Sequence, residues 1–342
     1  MELAIISAII VVALALFFAI TNGFNDSASQ VATIIASRSL SPTVALLIAA
    51  TSNFIGAYFL GTAVVKTIVK DMVNISVLNK DSSDIIVIIS ALIGAISWNI
   101  ITWYFGIPSS SSHSLIGGMA GAFIVGWGLE SIYWGKVFEI ILIMVVSPLI
   151  GFLIAYILSR AIWNFSQWAT PKVNGTFKKL QIFSLVAQGI SHGTNDAQKT
   201  MGIITFSLIL LGLYKTSAGN ESIVIPAWVI WTTSIAMFFG TITGGWRIIK
   251  KLGSSLYKIK PMHGFVSQTV SSAIIYISSV LGFPISTTQV ISSSIVGAGA
   301  ATRIKMIRWQ VAKEMAIAWL ITIPFSAMMA GAILYILDKI FK

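Results

Sequence analysis

The sequence predicts an all-α polytopic membrane protein made of two inverted-topology repeats, each with a broken helix and a re-entrant helical hairpin. Three observations carry that reading. The 342 residues are 56% hydrophobic and only 10% charged, where soluble domains carry about a quarter charged residues. Several apolar runs also reach the roughly 18 residues that a membrane helix needs. Next, the chain repeats itself: Gly-x-Asn-Asp occurs at Gly23 and Gly193, and Gly-x-Pro-x-Ser at Gly106 and Gly282, with 83 residues between the motifs in the first half and 89 in the second. Two matches in register mark an internal duplication. Finally, the charges sort by side once the hairpin arms are taken not to cross. Arg38, the segment from Arg160 to Lys179, the loop after Trp246 and the stretch from Arg303 to Lys313 then hold 14 of the 22 basic residues and one acid, while the opposite side holds 8 of the 11 acids. By the positive-inside rule the first group is cytoplasmic and both termini are outside, so the halves run in opposite senses.

Taken in order, Leu3 to Thr21 predicts a first span, retained rather than cleaved because no basic n-region precedes it. The Gly23-Phe24-Asn25-Asp26 segment reads as a break, followed by a short helix from Ser27 to Ala36. Pro42 suits a helix N-terminus and opens a span from Thr43 to Val69. After a polar loop (70–84), a helix from Ile85 to Phe105 runs into the turn Gly106-Ile107-Pro108-Ser109, and apolar sequence resumes from Leu115 to Leu129. A span from Phe138 to Trp163 ends the first repeat (residues 1–163). A hydrophilic cytoplasmic linker covers 164–181, and the second repeat covers 182–342. Its first span, Ile182 to Leu213, contains the motif Gly193-Thr194-Asn195-Asp196. A loop (214–225), a helix from Pro226 to Trp246 and a basic loop from Arg247 to Pro261 come next. The second hairpin has arms Met262–Leu281 and Val290–Ala301 around Gly282-Phe283-Pro284-Ile285-Ser286. A last helix ends near Leu337. Trp127, Trp134, Trp228 and Trp309 read as interfacial anchors, and the small-residue runs after each turn as sites of close helix packing.

The chain has no cysteine, which excludes disulfides, thiolate metal sites and cysteine nucleophiles. The formal charge of +11 reads as loop anchoring rather than nucleic-acid binding. The motifs carry the chemistry. Ionisable residues at membrane depth are costly and mark function, and irregular backbone there must line an enclosed or wet cavity. The two hairpin turns cluster hydroxyls, Ser109, Ser110, Ser111 and Ser112 in one and Ser286, Thr287 and Thr288 in the other. With Asn25, Asn195 and the free N–H groups of the helix N-termini, they can encircle a tetrahedral oxyanion. Asp26 and Asp196 would repel that anion. They read instead as ligands of a co-entering cation, protons or a hard ion such as sodium, with Asn22 and Gln198 as further oxygen donors. Lys199 can meet the anion, pair with an Asp or snorkel, and His192 can bond a ligand or a neighbouring helix. His113 faces Gln289 in the repeat alignment, which argues against an obligatory proton carrier. An enzyme using Asp26 and Asp196 as acid and base is a competing reading, disfavoured because a reaction rarely needs two copies of a whole binding half.

At these residues the sequence resembles the inorganic phosphate transporter (PiT) family. The run from Gln188-Gly189-Ile190-Ser191-His192-Gly193 through Thr194-Asn195-Asp196-Ala197-Gln198-Lys199 to Thr200-Met201-Gly202 is similar to its second signature almost throughout. The turn from Gly282 to Gln289 is similar to its hairpin motif. Ser27-Ala28-Ser29 and Ser109 to Ser112 depart from the family pattern but keep its hydroxyls, and the central loop is short. The resemblance implies import of inorganic phosphate across the plasma membrane by symport with sodium or protons, no organic cofactor and a homodimer, and the carboxylate, amide and hydroxyl oxygens of the motifs favour sodium. A proton-coupled phosphate permease or a sulfate permease of the same fold are the alternatives. It also implies that Asn25, Asp26, Asn195 and Asp196 carry binding, completed by the hairpin hydroxyls.

Overall fold

The computed structural model describes residues 2–74, 82–166, 168, 170–214 and 224–341. Twelve α-helices can be numbered among them: α1 (Glu2–Ala36), α2 (Pro42–Phe59), α3 (Ala63–Lys66), α4 (Ser82–Tyr104), α5 (Ser111–Trp127), α6 (Trp134–Ser166), α7 (Val173–Leu210), α8 (Ala227–Thr243), α9 (Trp246–Ser255), α10 (Pro261–Val280), α11 (Thr287–Thr302) and α12 (Trp309–Phe341). Among the described residues the only β pairing is an isolated bridge between Val73 and Ile132. Helices α1, α2, α4, α6 and α12 are each long and apolar enough to cross a membrane. Their outer faces show why the solvent must be lipid. Helix α6 exposes Leu142, Val145, Leu149, Leu153 and Ile157, and α12 exposes Leu320, Met328, Tyr335 and Ile336. Apolar faces of that extent are not tolerated in water. The protein is a multi-pass helical membrane protein.

Two sequence expectations about helix continuity are corrected. The Asn-Asp motifs do not break their helices: α1 is continuous through Gly23–Asp26, and α7 is continuous from Val173 through Gly193–Lys199. The glycines serve packing instead. A Cβ on Gly23 would lie 2.9 Å from the Met237 carbonyl oxygen of α8, and one on Gly240 of α8 would collide with the Ile20 carbonyl. The other crossing is built the same way, with Gly193 of α7 against the Asn53 carbonyl and Gly56 of α2 against the Ile190 carbonyl. Small residues let two helix backbones touch. Each motif glycine is thus half of a reciprocal pair that locks an element of one half onto an element of the other.

The breaks lie one element later. The span predicted from Thr43 to Val69 is interrupted between α2 and α3, where Gly61 has φ +83°, and continues as a π-helical turn at Thr67–Asp71. The span predicted to end at Trp246 is interrupted at Gly244 (φ +68°), and α9 leaves at a 62° bend. Only glycine takes such φ values without steric cost. The segment read as a basic loop at 247–261 therefore contains an amphipathic helix, which buries Ile248, Ile249 and Leu252 and turns its basic residues outward. The linker read at 164–181 is shorter than expected, because α7 begins at Val173. Of the polar loops read at 70–84 and 214–225, residues 75–81 and 215–223 lie outside the described residues.

Both hairpins form, α4 against α5 and α10 against α11. Gly106 (φ +64°) and Gly282 (φ +79°) end the first arms. The second arms start with matching caps, Ser110 accepting from the His113 N–H and Ser286 from the Gln289 N–H, which satisfies otherwise unpaired N–H groups. Outside them, α12 packs on α5 and α6 on α11. Trp134 and Trp309, which open α6 and α12, each donate Nε1–H to the carbonyl five residues back (Leu129, 2.9 Å; Ile304, 3.3 Å) and stay half-exposed. The glycine pairs give a stability prediction. Gly193→Ala inserts a methyl group into the α2–α7 contact and should destabilise the purified protein by about 1–3 kcal/mol, read as a lower thermal midpoint in detergent. Gly175→Ala in the same helix, where a Cβ meets nothing within 4 Å, should leave the midpoint unchanged or raise it.

Candidate functional site

Because α1 and α7 are unbroken, residues three and four apart share a face. Asn22, Asp26 and Ser29 line up on α1, and His192, Asp196 and Lys199 line up at the equivalent positions of α7. The two faces meet in the interior, where all six residues are buried. The hairpin turns close over them. Ser111 Oγ donates to Asp26 Oδ2 (2.7 Å) and contacts Asn22 Oδ1 (2.9 Å), and Thr287 Oγ1 donates to Asp196 Oδ2 (2.9 Å). Each carboxylate is thus held by the first hydroxyl of the following helix in its own half.

A second set of bonds crosses between halves. Thr288 donates to Asp26 Oδ1. At the matching place on the other side, the Lys199 ammonium stands between Asp196 Oδ1 and Ser112 Oγ, 2.5 Å from the latter, and donates also to the Ile285 carbonyl (2.8 Å). Ser112 Oγ itself donates to Ile285 O at 3.0 Å. His113 and Gln289, which occupy equivalent positions, meet each other directly, Nδ1 to Nε2 at 2.8 Å. The N-termini of α5 and α11 therefore face one another, directing their N–H dipoles at the same small volume.

The asparagines are oriented by the hairpins. Asn25 Nδ2 donates to Asn99 O (3.3 Å), and Asn195 Nδ2 donates to Ser279 Oγ (2.9 Å) and Phe283 O (3.1 Å). Both amide oxygens, Asn25 Oδ1 and Asn195 Oδ1, are buried without a protein donor. Unsatisfied buried acceptors are rare in proteins and call for an explanation. Here they occur as a matched pair beside two carboxylates. His192 Nε2 lies 2.9 Å from Asp196 Oδ2 and 3.7 Å from Asp26 Oδ2. One ligand atom from each of Asp26, His192 and Asp196 falls within 4.8 Å of the others, a spacing that could hold a metal ion.

Of the residues singled out from the sequence, Asn22, Asp26, Ser111, Ser112, Asp196, Thr287 and Thr288 bond within this cluster, and Asn25 and Asn195, next to the carboxylates in sequence, bond to the hairpins. Four stand apart from the carboxylates. Ser110 and Ser286 are helix caps. Ser109 bonds to Thr102 Oγ1 (2.7 Å). Gln198 Oε1 accepts from the Val64 N–H (2.7 Å), satisfying backbone exposed by the α2–α3 break. Asn99 and Ser279, which sequence reasoning did not single out, hold the two asparagines from the first arms of the hairpins. His192 and Lys199 are both in the cluster, at the helical spacings i−4 and i+3 from Asp196 that signal a shared face.

A large cavity of about 1530 Å³ opens beside the C-terminal end of α1. Arg38, Lys178, Lys250, Lys258, Lys260 and Arg308 line it, with no acid among its lining residues. These residues come from all four segments that the charge distribution assigns to one side of the membrane. A basic concave surface raises the local concentration of anions.

Comparison with known proteins places these features in a wider set. A model of the phosphate transporter family matches residues 22–330. The chain is 43% identical over 342 residues to a probable low-affinity inorganic phosphate transporter of Bacillus subtilis (strain 168), covering all of both chains. It is 40% identical over 330 residues to a protein of the same description from Rhizobium meliloti (strain 1021), covering 96% of each. A solved structure described as the sodium-dependent phosphate transporter superposes with a TM-score of 0.86 at 25% identity, covering 99% of this chain and all of that one.

The geometry of the cluster predicts which hydroxyls bear load. Thr288→Val removes the bond that ties the second hairpin to Asp26. It should cost about 1–3 kcal/mol, as for a hydrogen bond to a charged group. Thr232→Val, on an exposed stretch of α8 where the hydroxyl bonds only within its own helix, should be near neutral. Thermal unfolding of the two purified variants in detergent checks the difference.

Proposed function

The chain belongs to the phosphate transporter family, and on that premise we propose that it imports inorganic phosphate by symport with a cation, sodium. The observation that carries the reading is the convergence of Asp26 and Asp196 with hydroxyls from both hairpin turns. A phosphate dianion cannot join two bare carboxylates in a water-poor interior. A single pair of like charges 4 Å apart costs about 4 kcal/mol at an effective dielectric of 20. Cations at the carboxylates remove that cost. The amide oxygens of Asn25 and Asn195, left without donors, add neutral oxygens of the kind that hard cations accept. They can equally accept from a protonated phosphate oxygen. The hydroxyls of Ser111, Ser112, Thr287 and Thr288 and the N–H groups at the starts of α5 and α11 are the anion donors in this scheme.

The coupling follows from the same charges. A carboxylate without its cation holds the hairpin hydroxyls for itself. Once a cation neutralises it, the hydroxyls can turn to phosphate, and only the filled, neutralised site has a low cost of moving through the membrane. In this reading the hairpins are re-entrant, the halves are inverted repeats, and the basic cavity is the cytoplasmic mouth through which phosphate leaves. A second reading, protons as the coupling ion, is favoured by one observation. His192 sits between the two carboxylates, within 2.9 Å of one and 3.7 Å of the other.

Two measurements test this. Proteoliposomes loaded without phosphate should accumulate labelled phosphate under an imposed sodium gradient at equal pH on both sides. Accumulation that follows a pH gradient and ignores sodium would establish the proton reading instead. Separately, Asp26→Asn should lower gradient-driven uptake by about tenfold or more, because the neutral amide removes the differential cation affinity that drives reorientation. Uptake at the wild-type rate would sink the assignment of Asp26 to the coupling ion.

A further inference from the structure

The two halves share a backbone plan but not a charge. Aligning the motifs pairs Asp26 with Asp196, Asn25 with Asn195, and Ser29 with Lys199. The hydroxyl partners match as well, Ser111 with Thr287 and Ser112 with Thr288. On the Asp26 side the cross-half bond is direct, from Thr288 to Asp26 Oδ1. On the Asp196 side the same bond is replaced by an ammonium. Lys199 Nζ is bound to Asp196 Oδ1, Ser112 Oγ (2.5 Å) and Ile285 O (2.8 Å). All three N–H donors of the ammonium are thereby used. The side chain is only 2% exposed, so it does not snorkel to water.

The three oxygens around Nζ are a carboxylate, a hydroxyl and a main-chain carbonyl. That is the ligand set of a hard monovalent cation. On the Asp26 side, Ser29 is too short to deliver a charge, and its hydroxyl is turned back onto the Asp26 carbonyl at 2.8 Å. We infer that Lys199 is a tethered cation, which permanently fills at Asp196 the place that an exchangeable cation takes at Asp26. With the imidazole of His192 neutral between them, the carboxylate pair then carries one unit of uncompensated negative charge rather than two, and takes up one coupling cation per cycle rather than two. Lys199 is in this account the residue that sets the coupling ratio. The inference rests on the cation-coupled reading above but not on which cation is used.

The test is equilibrium binding of labelled phosphate to the purified protein in detergent, titrated with sodium chloride against choline chloride at fixed pH. Lys199→Ser installs the residue found at the equivalent position of the other half. It should weaken phosphate binding at low sodium by about tenfold or more. Binding should recover at high sodium, with a Hill slope for sodium about one higher than wild type, because a second ion now fills the emptied place. A folded Ser variant whose sodium slope equals that of wild type overturns the proposal and leaves Lys199 a structural pairing residue. If the variant does not fold, as judged by size-exclusion elution, the wild-type protein decides. A sodium slope of about one supports a single exchangeable ion, and a slope of about two or more overturns it. Wild-type binding that ignores sodium overturns sodium as the coupling ion and nothing else. Lys199 is then judged on whether the Ser variant gains a cation dependence that wild type lacks.

Discussion

The arrangement of this protein depends on holding two carboxylates side by side in an interior shielded from bulk water. Asp26 and Asp196 are at most 1% exposed, and an isolated buried carboxylate would simply take up a proton. Their surroundings answer that constraint in layers. Asp26 takes a hydroxyl from each hairpin turn and Asp196 takes one from the second. The imidazole of His192 stands between them. The Lys199 ammonium compensates one. The hairpins need helix caps and left-handed glycines to bring their turns to this depth, and the long helices α1 and α7 must run unbroken to bring the carboxylates to the turns. Removing any of these leaves charge or main-chain polarity stranded in an apolar interior.

Much of this was legible in the sequence. The apolar runs locate α4, α6, α8, α10 and α11 to within a few residues, Pro42 does begin α2, and the repeated turns at Gly106 and Gly282 do become hairpins. What misled was the glycine of Gly-x-Asn-Asp. A glycine beside polar residues in an apolar run resembles a break, and only the partner helix reveals its use. The carbonyls it packs against, those of Met237 and Asn53, lie on elements distant in the chain. Assuming a break also hid the face shared by His192, Asp196 and Lys199, since i−4 and i+3 relations exist only in a continuous helix. The real breaks at Gly61 and Gly244 carry no polar flag, because neighbouring groups such as Gln198 satisfy their backbone. Helix α9 was hidden by its charge: its basic residues outweigh the buried Ile248, Ile249 and Leu252 in any reading of composition alone.

Within the candidate site, residue type predicted convergence better than role. The later hydroxyls of each run reach the charged groups, Ser111, Thr287 and Thr288 bonding a carboxylate and Ser112 bonding the Lys199 ammonium, while the first ones are consumed in building the turn. That division follows from helix geometry: the capping position must spend its oxygen on the N–H three residues on. Gln198 shows the same principle. Adjacent to the cluster in sequence, it points to another side of α7 and closes the α2–α3 break.

The reciprocal glycine contacts have one more consequence. Where helices touch main chain to main chain, their separation is fixed by covalent geometry and not by rotamers, so the crossings α1–α8 and α2–α7 act as a rigid caliper. Because α2 and α8 also pack on each other, and α1 on α7, the two crossings belong to one frame that holds Asp26 near Asp196. The hairpins, by contrast, grip the same carboxylates through single hydroxyls, latches that each contribute on the order of 1–3 kcal/mol and can be released one at a time. In the transport cycle proposed above, these hydroxyl latches are the contacts that can be exchanged, while the glycine crossings, and the packing of α10 along α7, hold the carboxylates in place.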